Sequence, residues 1–234
     1  MKIIWLAGVD GCRKGWLALL GGLSGERFTR ERPLFLSRFE EIFSLPEAPK
    51  VIAVDIPIGL LDEPLPGGRE CDRLARRLLG WPRSSSIFTP PTRPALKAKD
   101  YHEAKSLSGG LSKQAFYILP KIREVDEAWG KIPQKTIFET HPELIFMTLA
   151  GKSLKTSKKT PLGQQERRYL LLKTGLFSSL KDNLLSLPKG VGLDDLLDAY
   201  ACLLAALRIY QRKACCLPSQ PPHDRRGRPM AIWI

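Results

Sequence analysis

Three apolar runs in this chain end the same way. "KIIWLAGVD" (2–10), "KVIAVD" (50–55) and "KTIFE" (135–139) each read as a buried β-strand that delivers a carboxylate at its far end: Asp10, Asp55 and Glu139. Short runs rich in Val, Ile, Leu and aromatic residues, bounded by Gly and Pro, fit strands of a sheet covered on both faces. Burying an unpaired carboxylate beside such strands costs several kcal/mol, so each acid must be solvated, hydrogen-bonded, ion-paired or bound to a metal. If the three strands are parallel, the acids share the rim on which open α/β sheets hold ligands.

The neighbouring segments fill in an α/β plan. "GWLALLGGL" (15–23) and "ERFTRERPLFL" (26–36) read as two further strands, which makes the start of the chain a three-stranded antiparallel unit. "SRFEEIFSL" (37–45) has a Ser cap and helical apolar spacing, and "LDDLLDAYACLLAALRIYQRK" (193–213) reads as a long helix opening after Gly192. "RPMAIWI" (228–234) reads as an edge strand. Residues 61–133 turn Pro/Gly-rich and basic, which predicts an insertion of two or three helices and a proline-rich loop within a single domain spanning 1–234. There is no internal repeat.

The last helix adds Asp194, Asp195 and Asp198. Asp194 reads as its N-cap, whereas Asp195 and Asp198 are three apart, share one face and can act on one ligand. Asp198 sits in a helix that is apolar on nearly every side. Carboxylates gathered this way repel one another unless a divalent cation neutralises them, and hard oxygen ligands suit Mg²⁺ or Mn²⁺. Asp10, Asp55, Asp195 and Asp198 are therefore the candidate metal ligands, with Glu139 as a further candidate catalytic acid. Two plainer roles compete: Asp10 capping the backbone of the "GCRKG" loop, and Asp55 opening a turn.

Against 24 Asp and Glu the chain carries 37 Lys and Arg, a formal charge of +13, which points to a polyanionic partner such as nucleic acid. Arg13, Arg69, Arg83, Lys121, Lys158 and Lys159 are the cations placed to contact phosphate, and His141, close to Glu139, is placed to assist a metal or a water. Solvated helix faces account for any single one of these cations equally well. Ser84, Ser85 and Ser86 lack a nucleophile-elbow setting and read as a turn. Five cysteines with no CxxC pair suit reduced thiols in a cytoplasm. The longest apolar stretch, Leu196 to Leu207, contains Asp198 and is too short to span a bilayer, so the chain is expected to be cytoplasmic, with no membrane partner.

The segments "GVDGCRKGW", "DIPIGL", "RECDRLARRLLG", "RSSSIFTPP", "GLSKQAFYILPKIREVD", "ETHPEL", "KK" followed by "G", and "DDLLDAYA" together resemble, in order and over nearly the whole chain, the family called domain of unknown function 429. Its members are described as predicted nucleases of the ribonuclease H fold. The resemblance implies a mixed five-stranded sheet with flanking helices and a family-specific insertion. It further implies catalytic acids on strand one, strand four and the final helix, which map onto Asp10, Asp55 and the pair Asp195 and Asp198. Glu139 and His141 have no counterpart in the Holliday-junction-resolvase branch of that superfamily. Two-metal hydrolysis of a phosphodiester is the expected activity. Two other classes fit the same acids: a nucleotide-binding phosphotransferase related to sugar kinases and actin-like ATPases, and a non-catalytic nucleic-acid-binding module that retains the acids.

Overall fold

The computed structural model describes residues 3–131 and 136–234. The first residue of the expected first strand, the expected end of the insertion at 133 and the expected start of the third strand at 135 lie outside them. The core sheet holds β1 (Ile4–Cys12), β2 (Gly15–Ser24), β3 (Arg27–Leu36), β4 (Ile52–Val54) and β5 (Ile137–Glu139), in the order β3-β2-β1-β4-β5. β1, β2 and β3 form the antiparallel unit, and β1, β4 and β5 run parallel, so the sheet is mixed. β4 is much shorter than the apolar run around it. Past Pro57, which has no N–H to donate, the N–H of Ile58 goes to Glu139 Oε2 at 2.8 Å and that of Leu60 to Asp224 Oδ2 at 3.2 Å. Side-chain carboxylates thus take over from the ladder.

The helices are α1 (Glu70–Leu79), α2 (Tyr101–Leu107), α3 (Lys113–Tyr117), α4 (Leu119–Trp129), α5 (Pro142–Ala150), α6 (Pro161–Lys173), α7 (Leu180–Leu185) and α8 (Leu193–Tyr210). They flank both faces of the sheet. On one face α8 crosses β1, β2 and β4, with Leu6, Leu17 and Leu19 meeting its buried residues Leu196 to Leu207. Gly8 permits this approach: a Cβ there would stand 2.1 Å from the backbone nitrogen of Leu203 and 2.2 Å from the carbonyl oxygen of Ala199.

On the other face Ala7, Val9, Trp16 and Val54 pack with Phe39, Ala104, Ala115, Leu119, Ile122 and Val125. Phe39 belongs to a 3-10 helix, Phe39–Ser44, where the sequence suggested an α-helix. The rest come largely from the stretch expected to be an insertion. That stretch contributes α1 to α4, more helices than expected, and supplies much of the layer covering this face. The C-terminal run corrects another expectation: β7 (Ile232–Trp233) pairs with β6 (Cys216–Leu217) in a separate two-stranded sheet, which meets the end of β5 through a bridge from Trp233 to Thr140 and the edge-on packing of the Trp233 ring on Phe138. All five cysteines are free thiols. Among the described residues no helix is long and apolar enough to cross a membrane.

Candidate functional site

Alternation along β1 turns Asp10 to the same face as Gly8, toward α8. The parallel register of Val9 with Val54 sets Asp10 and Asp55 next to each other at the carboxyl ends of β1 and β4. Because α8 rests on Gly8 at Ala199, the preceding Asp198 arrives at the same place. Asp10, Asp55 and Asp198 line one cavity of about 270 Å³, together with Arg83, Lys121, His141, Lys158 and Lys159. Eight of the candidates named from the sequence therefore meet, drawn from seven separate stretches of chain.

The charges there are only partly compensated. Asp10 is buried, and that burial, reinforced by the charges of Asp198 and Asp55 and opposed by Lys158, holds its carboxyl well above the usual range. One of its oxygens also accepts the N–H of Gly11 at 2.8 Å, so the loop-capping role operates as well. Burial pushes Asp198 up to about 6 despite an ion pair with Lys158, whose ammonium sits on Asp198 Oδ2. The other oxygen, Oδ1, is buried with no hydrogen-bond partner. Lys158 is itself held above its ordinary value: burial lowers it, but the charges of Asp198, Asp10 and Asp55 outweigh that. A lysine head thus occupies part of the gap for which the sequence suggested a divalent ion.

Lys121 reaches the cavity from α4. Its ammonium donates to the carbonyl of Gly15 and stands 4.4 Å from the centroid of the Trp16 ring, and burial lowers its pKa. Its stem passes so close to Gly11 that a Cβ there would lie 2.7 Å from Lys121 Cδ. His141 is the N-cap of α5: its Nδ1 accepts the N–H of Glu143 at 3.3 Å, which leaves the hydrogen on Nε2, 3.4 Å from the carbonyl oxygen of Ser86. It is a positioned wall residue.

Four candidates are placed elsewhere. Arg69 and Glu139, expected at phosphate and in catalysis, neutralise each other. Both are buried, with Arg69 Nη2 2.6 Å from Glu139 Oε1 and Nη1 2.8 Å from Oε2, and Arg69 also holds Asp72 at 2.7 Å. Bidentate pairing of this kind leaves neither group free for a ligand. Asp195 turns back to cap its own helix, accepting the N–H of Gly192 at 2.9 Å. Gly192, rather than Asp194, is the N-cap, and Asp194 lies in the first turn, where the helix dipole favours an acid. Arg13 is exposed in the turn between β1 and β2 and does not line the cavity.

Gln114 and Ser157 also line the cavity and were not singled out from the sequence. Neither is charged or spaced in a way that separates it from an ordinary surface polar residue. Glu143, at the cavity's edge, is satisfied by the fully buried Arg167, whose Nη2 lies 2.6 and 2.8 Å from its two oxygens.

One family, described as "Protein of unknown function (DUF429)", matches residues 8–223. No curated protein and no solved structure matches the chain.

Proposed function

The chain belongs to the DUF429 family, and from the cavity its acids line we propose that it is a divalent-metal-dependent nuclease of ribonuclease H-like fold. One observation carries this reading: residues 10, 55 and 198, far apart in sequence, line one cavity at the carboxyl ends of two parallel strands, where the ion pair from Lys158 to Asp198 leaves Asp198 Oδ1 without a partner. The strand order β3-β2-β1-β4-β5, with acids on the first strand, the fourth strand and the last helix, supports it, because that is the arrangement the family resemblance implies.

The donor chemistry suits a hard cation. Asp10, Asp55 and Asp198 offer carboxylate oxygens only, and Asp198 Oδ1 is buried without a partner. As they stand, no three acidic, histidine or cysteine side chains among the described residues are grouped to hold a metal, and Lys158 covers the other oxygen of Asp198. Lys158 lies in the loop before α6 with its side chain 35 % exposed, so it can swing out along its four-carbon stem. With it displaced, Asp10, Asp55 and Asp198 would hold Mg²⁺ or Mn²⁺. Such ions, when bound, activate water and stabilise the leaving oxygen of a phosphodiester.

The protein's own groups do the rest. Lys158, released from Asp198, and Lys159 meet the phosphate backbone from one side and Arg83 from another. Lys121, fixed against Trp16, keeps a positive charge beside Asp10 and props the Gly11 turn. His141 and the Arg167–Glu143 pair fix the start of α5 as a wall. The test is cleavage of labelled single-stranded and duplex oligonucleotides with Mn²⁺, with Asp10→Asn as the control. Metal-dependent cleavage lost in the variant supports the reading. No cleavage by the wild-type protein, combined with saturable ATP binding, replaces it with the phosphotransferase alternative.

A further inference from the structure

Two aromatic side chains are left almost wholly in water on segments that border the cavity. Trp81 is 87 % exposed and Tyr117 is 74 % exposed. An indole or phenol ring normally buries much of its large apolar surface, and each of these two leaves a π-face open to a planar ligand. Trp81 lies between Gly80, the C-cap of α1, and the 3-10 helix Arg83–Ser86, whose Arg83 and Ser86 line the cavity. Tyr117 closes α3, between the cavity-lining residues Gln114 and Ile118. Both come from the basic, proline-rich stretch that follows β4.

Resting on the nuclease reading, we propose that the cavity mouth binds single-stranded nucleic acid, with unpaired bases stacked on Trp81 and Tyr117 and phosphates held by Arg83, Lys158 and Lys159. A duplex hides its base faces in its own stack, whereas a single strand offers them to aromatic rings, and stacking tolerates any base because every base has a π-face. Exposed Trp, Tyr and Arg also mark protein interfaces. The charge decides between the two: the chain carries +13, and cations line the cavity these segments border, which matches a polyphosphate backbone.

The test is fluorescence anisotropy in EDTA, so that nothing is cleaved, using a labelled oligothymidylate of about a dozen nucleotides, within the ~4–16 nucleotides a stacking groove covers, and a duplex of equal length. The single strand is expected to bind more tightly than the duplex. Trp81→Ala and Tyr117→Ala should each weaken it about tenfold, the size of one lost base–aromatic stack, with unchanged circular dichroism. Trp81→Phe should retain most of the binding. Equal or tighter duplex binding, or full affinity in both alanine variants, overturns the stacking site. A change in oligomeric state by light scattering, with oligonucleotide affinity intact, overturns it in favour of a protein partner. Single-strand binding that depends on Trp81, with no Mn²⁺-dependent cleavage, leaves the stacking site standing and removes the nuclease. Duplex cleavage indifferent to Trp81 does the reverse.

Discussion

Two groups of acids in this molecule are resolved differently. Glu139 and Asp72 are matched by Arg69, whose planar fork donates to both carboxylates, and Asp126 and Asp224 are matched by Arg93 and Arg228. Asp10, Asp55 and Asp198 border open space and, among the described residues, have one ion pair between them, from Lys158 to Asp198, whose other oxygen is unpartnered. Arginine gives a permanent charge and fixed geometry, which suits structure. A flexible lysine paired with one of three carboxylates leaves oxygens that an incoming cation can use. The identity of the counter-ion, more than the presence of the acid, separates scaffold from site.

The widest gap between the two groups should appear in stability. Arg69→Met strands Glu139 and Asp72 in the interior, a loss of about 3–5 kcal/mol. Thermal unfolding should fall by roughly 10 °C, at ~2–4 °C per kcal/mol for a chain of this size. Asp10→Asn removes a carboxylate that burial and its neighbours already disfavour, so its melting temperature should match or exceed the wild type. If Asp10→Asn melts as low as Arg69→Met, the distinction fails.

Activity should rank the other way. Asp10→Asn and Asp198→Asn are expected to lose Mn²⁺-dependent cleavage by roughly 10²–10³-fold, the scale of removing one preorganised electrostatic group. Glu139→Gln, measured well below its melting temperature, should keep the greater part. A Glu139→Gln enzyme as dead as Asp10→Asn would return Glu139 to the catalytic set.

A further variant tests the geometry of the site with every charged group left in place. Gly8→Ala drives a methyl into the backbone of α8 at Leu203 and Ala199, where no side chain can give way. A cost of about 1–3 kcal/mol is expected, and cleavage should fall further than the stability loss accounts for because Asp198 is lifted from Asp10. A crystal structure of the variant with α8 unmoved would refute this.

How much of this could be read from the sequence follows from the range of each interaction. The strands, their terminal acids and the start of α8 after Gly192 are written in local patterning, and the three antiparallel strands follow from short connections. The pairing of Arg69 with Glu139, 70 positions apart, and of Lys158 with Asp198, 40 apart, has no local signature. Glu139 looks like Asp55 in sequence: each ends a buried run, and only the arriving guanidinium tells them apart. That the helices expected in residues 61–133 build the second layer of the domain is hidden for the same reason. Its short, Pro-interrupted helices look like an appendage until Trp16 and Phe39 are seen tied to Glu124 of α4, at 2.9 and 2.8 Å.

Replacing Lys158 sharpens the comparison from the other side. Lys158→Met removes the tethered cation from Asp198, so Mn²⁺ affinity by calorimetry should rise about tenfold, a difference of ~1.4 kcal/mol. KM for the oligonucleotide should rise too, since a phosphate contact is lost. Unchanged Mn²⁺ affinity would mean that the lysine does not stand in the ion's place.

The smallest effect concerns the acid limb of stability in the arginine-paired group. Burial opposes ionisation of Asp224, but the N–H groups of Arg228, Leu60 and Arg226 and the charge of Arg93 prevail, and its carboxyl is held below the ordinary value. A depressed folded pKa means that the unfolded chain binds the proton first as pH falls. The contribution is therefore complete above the unfolded carboxylate value, about 3.9, and disappears as pH drops through the lower folded one. Asp224→Asn lacks it at every pH. Urea unfolding of the two proteins should show the wild type more stable at pH 7, with the gap closing below about pH 4. A gap constant with pH would assign the difference to lost hydrogen bonds alone, and the carboxylate's charge would then contribute nothing to holding the C-terminal loop on Arg93.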